Sequence, residues 1–129
     1  MSMQINLPDV VAEMQAMFAR YERALMENDV DDLDLLFWQS TLTLRYGVGE
    51  QLYGHAAIAA FRASRPGGSP KRTLQRTAIM TYGRDFATAN TEFLRANAAR
   101  IGRQSQTWVR FPEGFRIVCA HVSLVSDGP

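Results

Sequence analysis

The sequence predicts an α+β fold: a curved antiparallel sheet with three helices packed on one face. Three features predict it. Apolar residues recur at helical spacing as far as Phe37, the period changes to two after Ser40, and from Thr73 onward the chain divides into four long alternating runs separated by turn signals. The 129 residues are expected to form one domain, residues 1–129, around one core of ordinary size. A content of 47% hydrophobic and 21% charged residues excludes intrinsic disorder.

In chain order, Val10, Val11, Met14, Met17, Phe18, Tyr21 and Leu25 form an i, i+3, i+4, i+7 stripe, the mark of an amphipathic helix. Pro8 suits its first turn and Asn28 its end. Asp29 can cap a short second helix whose first turn holds Asp31 and Asp32, where acids complement the helix dipole. The segment Thr41-Leu42-Thr43-Leu44-Arg45-Tyr46 alternates as a strand, with Leu42, Leu44 and Tyr46 on one face and Arg45 on the other. Gly47-Val48-Gly49-Glu50 is a turn, and Gln51 to Tyr53 its partner strand. A third helix begins after Gly54 with Ile58 and Phe61 on its buried side, and stops before Pro66-Gly67-Gly68-Ser69-Pro70. Four strands follow near Thr73–Tyr82, Asp85–Arg95, Arg100–Phe111 and Gly114–Val125, with a looser connection at Asn97-Ala98-Ala99. A long twisted sheet wrapped around helices curves into a cone, which tends to enclose a pocket.

Charge is unevenly distributed. Residues 1–55 carry nine acids against three arginines, a balance of −6, and residues 56–129 carry four acids against eleven bases, a balance of +7. Thirteen of the fourteen bases are Arg, and Lys71 is the exception. Arg keeps its charge when partly buried and offers a planar fork to carboxylates; a GC-rich genome would produce the same bias. The basic residues are spread through alternating strands, which disfavours nucleic-acid binding. No apolar run approaches a membrane span, and Met1 to Pro8 lacks a signal-type start, so a soluble cytoplasmic protein is expected. The single Cys119 and two histidines, His55 and His121, rule out a disulfide and argue against a zinc site, and no cofactor or metal is expected. The chain has no nucleophile elbow, phosphate loop, dinucleotide fingerprint or HExxH.

The element order, with the ending Thr107-Trp108-Val109-Arg110, Gly114-Phe115-Arg116-Ile117-Val118 and His121-Val122-Ser123, resembles the nuclear-transport-factor-2-like (SnoaL-like) cone fold. A similar ending occurs in the association domain of calcium/calmodulin-dependent kinases. Further motifs are Arg45-Tyr46-Gly47-Val48-Gly49-Glu50 with Leu52-Tyr53-Gly54, Ala60-Phe61-Arg62 with Arg65-Pro66, Tyr82-Gly83-Arg84-Asp85-Phe86-Ala87, and Gly102-Arg103-Gln104-Ser105-Gln106-Thr107-Trp108. Together they resemble the AtzH-like and oxalurate-catabolism (HpxZ-like) branch across nearly the whole chain. The resemblance implies a small amidohydrolase of ureide catabolism that acts beside amidase-signature enzymes. The AtzH-like type is implicated in decarboxylating hydrolysis of a dicarboxyurea to allophanate, using a tyrosine and an arginine that correspond to Tyr21 and Arg45. Phe115 departs from the pattern, which usually has Trp there.

Read by themselves, these residues leave alternatives open. Tyr21 on the helical stripe is either a core tyrosine with a satisfied hydroxyl or a proton donor whose pKa a nearby guanidinium lowers. Arg45 is either a solvated or interface arginine or a bidentate carboxylate clamp, and both functional roles require it to point into the cone. On the long strands, Gln104, Gln106 and Trp108 alternate on one face, as do Phe115, Ile117, Cys119, His121 and Ser123 on the next strand. Gln106, Trp108, His121 and Asn90 are therefore candidate substrate contacts, with structural roles for His121 and dimer packing for Gln106 and Trp108 as the alternatives. Arg62 and Arg65, three apart, suggest salt bridges on a helix surface. The expected partners are a small anionic substrate or ligand, a second copy through the sheet face, and functionally an amidase-type enzyme. The competing class is a non-enzymatic dimeric binder or assembly partner. A cyclase or isomerase acting on a hydrophobic substrate fits poorly with so polar a set.

Overall fold

The computed structural model describes residues 2–96 and 98–126. The observed elements are α1 (Pro8–Glu27), α2 (Val30–Leu36), β1 (Leu44–Tyr46), β2 (Gln51–Tyr53), α3 (His55–Ser64), β3 (Arg72–Tyr82), β4 (Phe86–Arg95), β5 (Gly102–Phe111) and β6 (Gly114–Leu124). This is the predicted order. Of the loop expected at 97–99, Asn97 lies outside the described residues.

Local chemistry accounts for the helical half. Pro8 occupies the first turn of α1, where its missing N–H is not needed. Asn28 ends the helix in the left-handed region, at φ 54°. One residue later, Asp29 caps α2 by accepting from the Asp32 N–H at 3.1 Å. Arg20 of α1 then grips Asp32 through two nitrogens, which fixes the angle between the two helices. His55 opens α3, and its Nε2 meets the Asp34 carbonyl oxygen at 2.7 Å.

The six strands form one sheet in the order β2-β1-β6-β5-β4-β3. Its pairs are antiparallel except β1 with β6, which run parallel because the β1–β2 hairpin reaches the sheet's far edge before α3 and the meander return to it. Irregularities at Leu74/Arg76 and Thr107/Trp108 bend the long strands. The helices fill the inner face. Val10, Met14, Phe18 and Tyr21 from α1, with Leu33, Leu36 and Phe37, meet Ala87, Ala89, Trp108, Phe115 and Ile117 in one cluster.

The bend in β6 decides which side chains look inward. Thr107 faces Cys119, yet Trp108 faces Ile117, so Val118 is an extra residue. Phe115 and Ile117 therefore share the inner face with Ala120 and Val122. Cys119, His121 and Ser123 are turned to the outer face, and the row expected from simple alternation breaks at Val118.

Candidate functional site

Arg45 lies in the middle of β1 and is buried, whereas its neighbours Leu44 and Tyr46 are turned outward. It is aligned with Ala120 on β6, and Ala120 with Gln106 on β5, which faces Ala89 on β4. This row across the inner face therefore alternates a long polar side chain with an alanine. The two alanines leave Arg45 and Gln106 room to extend toward α1. Tyr21, 2% exposed on α1, approaches from the helical side and meets the Phe37 ring edge-on at 6.4 Å.

Four further arginines converge on the same region. Arg62, buried on α3, stacks over Phe37 at 5.4 Å, and Arg65 at the end of α3 shares the Phe61 ring with Arg45, at 5.4 and 5.8 Å. Arg72 and Arg95 face each other directly across β3 and β4 and share the Phe93 ring, at 4.5 and 5.7 Å. A Cβ at Gly102 would penetrate the Phe93 ring, so the bare glycine on β5 is what lets this ring lie flat beneath the two guanidiniums. Stacking holds a guanidinium by its face and leaves the in-plane N–H edge free.

Few carboxylates balance these charges. Glu22 takes Arg72 through Nε at 3.0 Å and Nη2 at 2.6 Å, and Glu50 takes Arg45 through Nη1 at 2.7 Å. Arg62, Arg65 and Arg95 form no salt bridge among the described residues. Like charges opposite one another across a sheet are destabilising, and burying unpaired cations is more so. Arg65 and Arg95 accordingly have lowered pKa values, through burial first and the neighbouring arginines second.

Buried Nε of Arg45, Nε and Nη2 of Arg62, Nε of Arg95 and the Nε2 amides of Gln104 and Gln106 lack a hydrogen-bond partner. These six are donors; the Thr81 Oγ1 and the Asp34 Oδ1, an acceptor whose carboxylate feels the charge of Arg62, are likewise buried without a partner. The glutamines are oriented by their other ends: the Gln104 Oε1 accepts from Arg72 at 3.2 Å, and the Gln106 Oε1 from the Trp108 indole at 3.1 Å. Their NH2 groups are thereby left over. A buried donor without an acceptor costs about 1–3 kcal/mol, so this group of donors is an unusual feature of the inner face.

Tyr21 responds to the same field. Burial alone would raise its phenol pKa, but Arg62, Arg45 and Arg72, with a hydrogen-bond contribution from Arg62, bring it below the usual value of 10.0. The phenol is thus a stronger acid than a free tyrosine and its phenolate a well-supported base.

Of the residues singled out from the sequence, Tyr21 and Arg45 both face the interior within electrostatic reach of each other, Gln106 lies in the row of Arg45, and Trp108 supports Gln106 from within the core. Asn90 and His121 do not join them. Asn90 is exposed on the outer face, where it accepts from the Ser105 hydroxyl at 2.6 Å, because Ala89 and Thr91 take the inward positions. His121 is exposed on the same outer face against the Tyr46 ring, turned there by the extra residue at Val118. Cys119 is half-buried on that side. Arg62 and Arg65 are not surface salt-bridge formers, because α3 turns them toward the sheet. Arg72 and Arg95 were not singled out, and the available signal was the scarcity of lysine among the bases; Gln104 was placed on one face with Gln106 and Trp108 but not made a substrate contact.

A cleft of about 750 Å³ runs between α1 and β3, lined by Phe18, Met26, Leu74 and Ile79 together with Gln15, Arg23 and Thr77. Its link to the arginine cluster is Glu22. The cleft mixes apolar and polar walls, and none of the buried donors without a partner lines it. Among the described residues, no group of three or more His, Cys, Asp or Glu could hold a metal ion, and no helix is long and apolar enough to cross a membrane.

An α+β cone with a buried cluster of arginines beside Tyr21 defines the class of protein. The AtzH-like family model matches residues 3–128, and the chain belongs to that family. It is similar to a protein of unknown function from Pectobacterium atrosepticum, at 56% identity, with 95% of each chain covered and a TM-score of 0.92. It also resembles a cystatin-like fold protein from Burkholderia xenovorans, at 47% identity over 98% of this chain and 100% of that one, with a TM-score of 0.93. A nuclear transport factor 2-like superfamily protein from Salmonella enterica matches at 29% identity, 93% and 94% coverage and a TM-score of 0.74. No curated protein matches the chain.

Proposed function

We propose that the protein is a decarboxylating amidohydrolase acting on a small N-carboxylated urea of the dicarboxyurea type, with Tyr21 and Arg45 as its catalytic residues. The observation that carries this reading is the set of buried N–H donors without acceptors around Tyr21. A dicarboxylated urea presents carboxylate and carbonyl oxygens and two negative charges, which complements a site rich in donors and excess cations. Each charge-assisted hydrogen bond to a carboxylate contributes about 1.5–3 kcal/mol.

In the proposed reaction, Arg45 holds one carboxylate while the Tyr21 hydroxyl lies against a carbamate nitrogen. The carbon–nitrogen bond of that carbamate breaks, its electron pair stays on nitrogen, and carbon dioxide leaves. The nitrogen takes the Tyr21 proton. Arg62, Arg45 and Arg72 support the resulting phenolate until water returns a proton. Proton delivery by a placed acid of suitable pKa accelerates such a step by about 10²–10⁴.

Purified protein incubated with a dicarboxylated urea is expected to release carbon dioxide and the monocarboxylated urea faster than buffer. Tyr21→Phe should lower turnover by about 10²–10⁴ with the fold retained, and Arg45→Ala should raise KM as well. Full activity in both variants would exclude the assignment. The second reading, a non-enzymatic carboxylate binder or assembly partner of an amidase-type enzyme, draws on the same donors. It predicts ligand-raised thermal stability with no turnover. For quaternary structure we propose a homodimer through the outer sheet face, where Tyr53 is exposed beside Tyr46 and Phe86 is exposed on β4. Light scattering on the purified protein tests it.

A further inference from the structure

The carboxylate on Arg45 comes from the chain itself, and its placement is built into the β1–β2 turn. The Gly47 N–H donates to the Glu50 carbonyl at 2.9 Å and closes the turn. The Glu50 side chain then folds back over Gly47 to reach the Arg45 Nη1 at 2.7 Å. A Cβ at Gly47 would overlap the Glu50 carboxylate, so this pose requires glycine. Gly49 has open space around it and Val48 is exposed, so the turn is little restrained from outside. Glu50 makes a single bond to Arg45, whose Nε edge stays unpartnered and buried. Its negative charge also acts on Arg65 and Arg95.

We propose that Glu50 is an internal substitute for the ligand's carboxylate: it occupies the anion seat on Arg45 and must be displaced, with the 47–50 turn, before a ligand carboxylate can take that guanidinium in a bidentate grip. This deepens the proposed function and rests on its reading of the site as an anion site. A ligand carboxylate meeting the Nε edge also meets the charge of Glu50 beside it. Moving Glu50 aside releases Nη1 and restores the full excess of positive charge around Arg62, Arg65 and Arg95. Glu50 thereby sets a threshold of charge. An acid with two carboxylates can engage the unpaired arginines while it competes for Arg45, whereas an acid with one carboxylate gains little beyond what Glu50 already supplies.

The test is calorimetric titration of the full chain with malonate, a small dicarboxylate, which needs no turnover. Glu50→Gln keeps the side-chain shape and removes its charge, and is expected to bind malonate about tenfold more tightly, the equivalent of about 1.4 kcal/mol. Gly47→Ala leaves the charge on the chain but forces it off Arg45, so it should shift affinity in the same direction by a smaller factor. It also provides a second route should either variant fold poorly. Arg45→Ala separates the two levels of the argument. Malonate binding that weakens in Arg45→Ala but does not strengthen in Glu50→Gln or Gly47→Ala overturns the role of Glu50 alone. Malonate binding indifferent to Arg45→Ala, or absent throughout, overturns the anion site as well.

Discussion

Two regions of the inner face stack an arginine on a phenylalanine and then treat its donors in opposite ways. At the β5–β6 hairpin, Arg110 lies over Phe115 at 4.4 Å, and each of its nitrogens is engaged: Nε with Asp85, Nη1 with Glu13 and Nη2 with the Arg84 carbonyl. Beside Tyr21, Arg62 lies over Phe37 at 5.4 Å with two nitrogens unpartnered. The packing geometry is shared and the charge balance is not. An arginine ringed by acceptors ties elements together; Arg62, stacked on Phe37 and turned to the Tyr21 phenol, keeps its Nε and Nη2 unspent. Arg72 stands between them, since it belongs to the Tyr21 region yet is closed off by Glu22.

Substitution to methionine, which keeps the stem and removes the charge, should separate the three arginines. Arg72→Met should do most damage. It leaves Glu22 without its partner, with the Arg72 side chain 3% and the Glu22 side chain 16% exposed. Breaking such a buried pair costs about 3–5 kcal/mol, readable by urea unfolding. Arg110→Met should cost about 1 kcal/mol, because its carboxylate partners are open to solvent and such pairs are weak. For Arg62→Met the unfolding free energy should be unchanged or slightly higher, because a buried cation with unmet donors is being removed. The same variant should lose the rise in melting temperature that malonate gives the wild type. A large loss of stability in Arg62→Met would erase the distinction between the two regions.

How much of this was legible in the sequence depends on how far apart the interacting residues lie along the chain. The α1 stripe, the Asp29 cap and the 47–50 turn are settled within a few residues, and all three appear where the sequence places them. Alternation assigns Arg45 and Leu44 to opposite faces but does not say which face meets the helices. That needs the β1–β6 pairing, made by residues some 75 positions apart in the chain. His121 shows how one inserted residue defeats a period-two argument, for the extra residue at Val118 reverses every assignment beyond it. The arginine cluster draws from β1, α3, β3 and β4, so no local spacing could reveal it. The excess of Arg over Lys pointed to buried guanidiniums without saying which.

The smallest and most selective effect concerns the Tyr21 phenol. In the native protein its pKa lies below the ordinary 10.0, because the field of Arg62, Arg45 and Arg72 outweighs burial. Between those two values the unfolded chain binds more protons at this site than the native chain, so stability rises with pH. The contribution is complete above the unfolded pKa and is lost as pH falls through the folded one. Ultraviolet titration of the phenols should show one tyrosine ionising early and Tyr46 late, since its bond to Tyr53 raises its pKa. Tyr21→Phe should remove the early step. Malonate at saturation should move that step toward higher pH, because an anion among the arginines screens the field that favours phenolate. An early step that survives Tyr21→Phe would show that the cationic field acts elsewhere, and the contrast between the Arg62 and Arg110 regions would lose its chemical consequence.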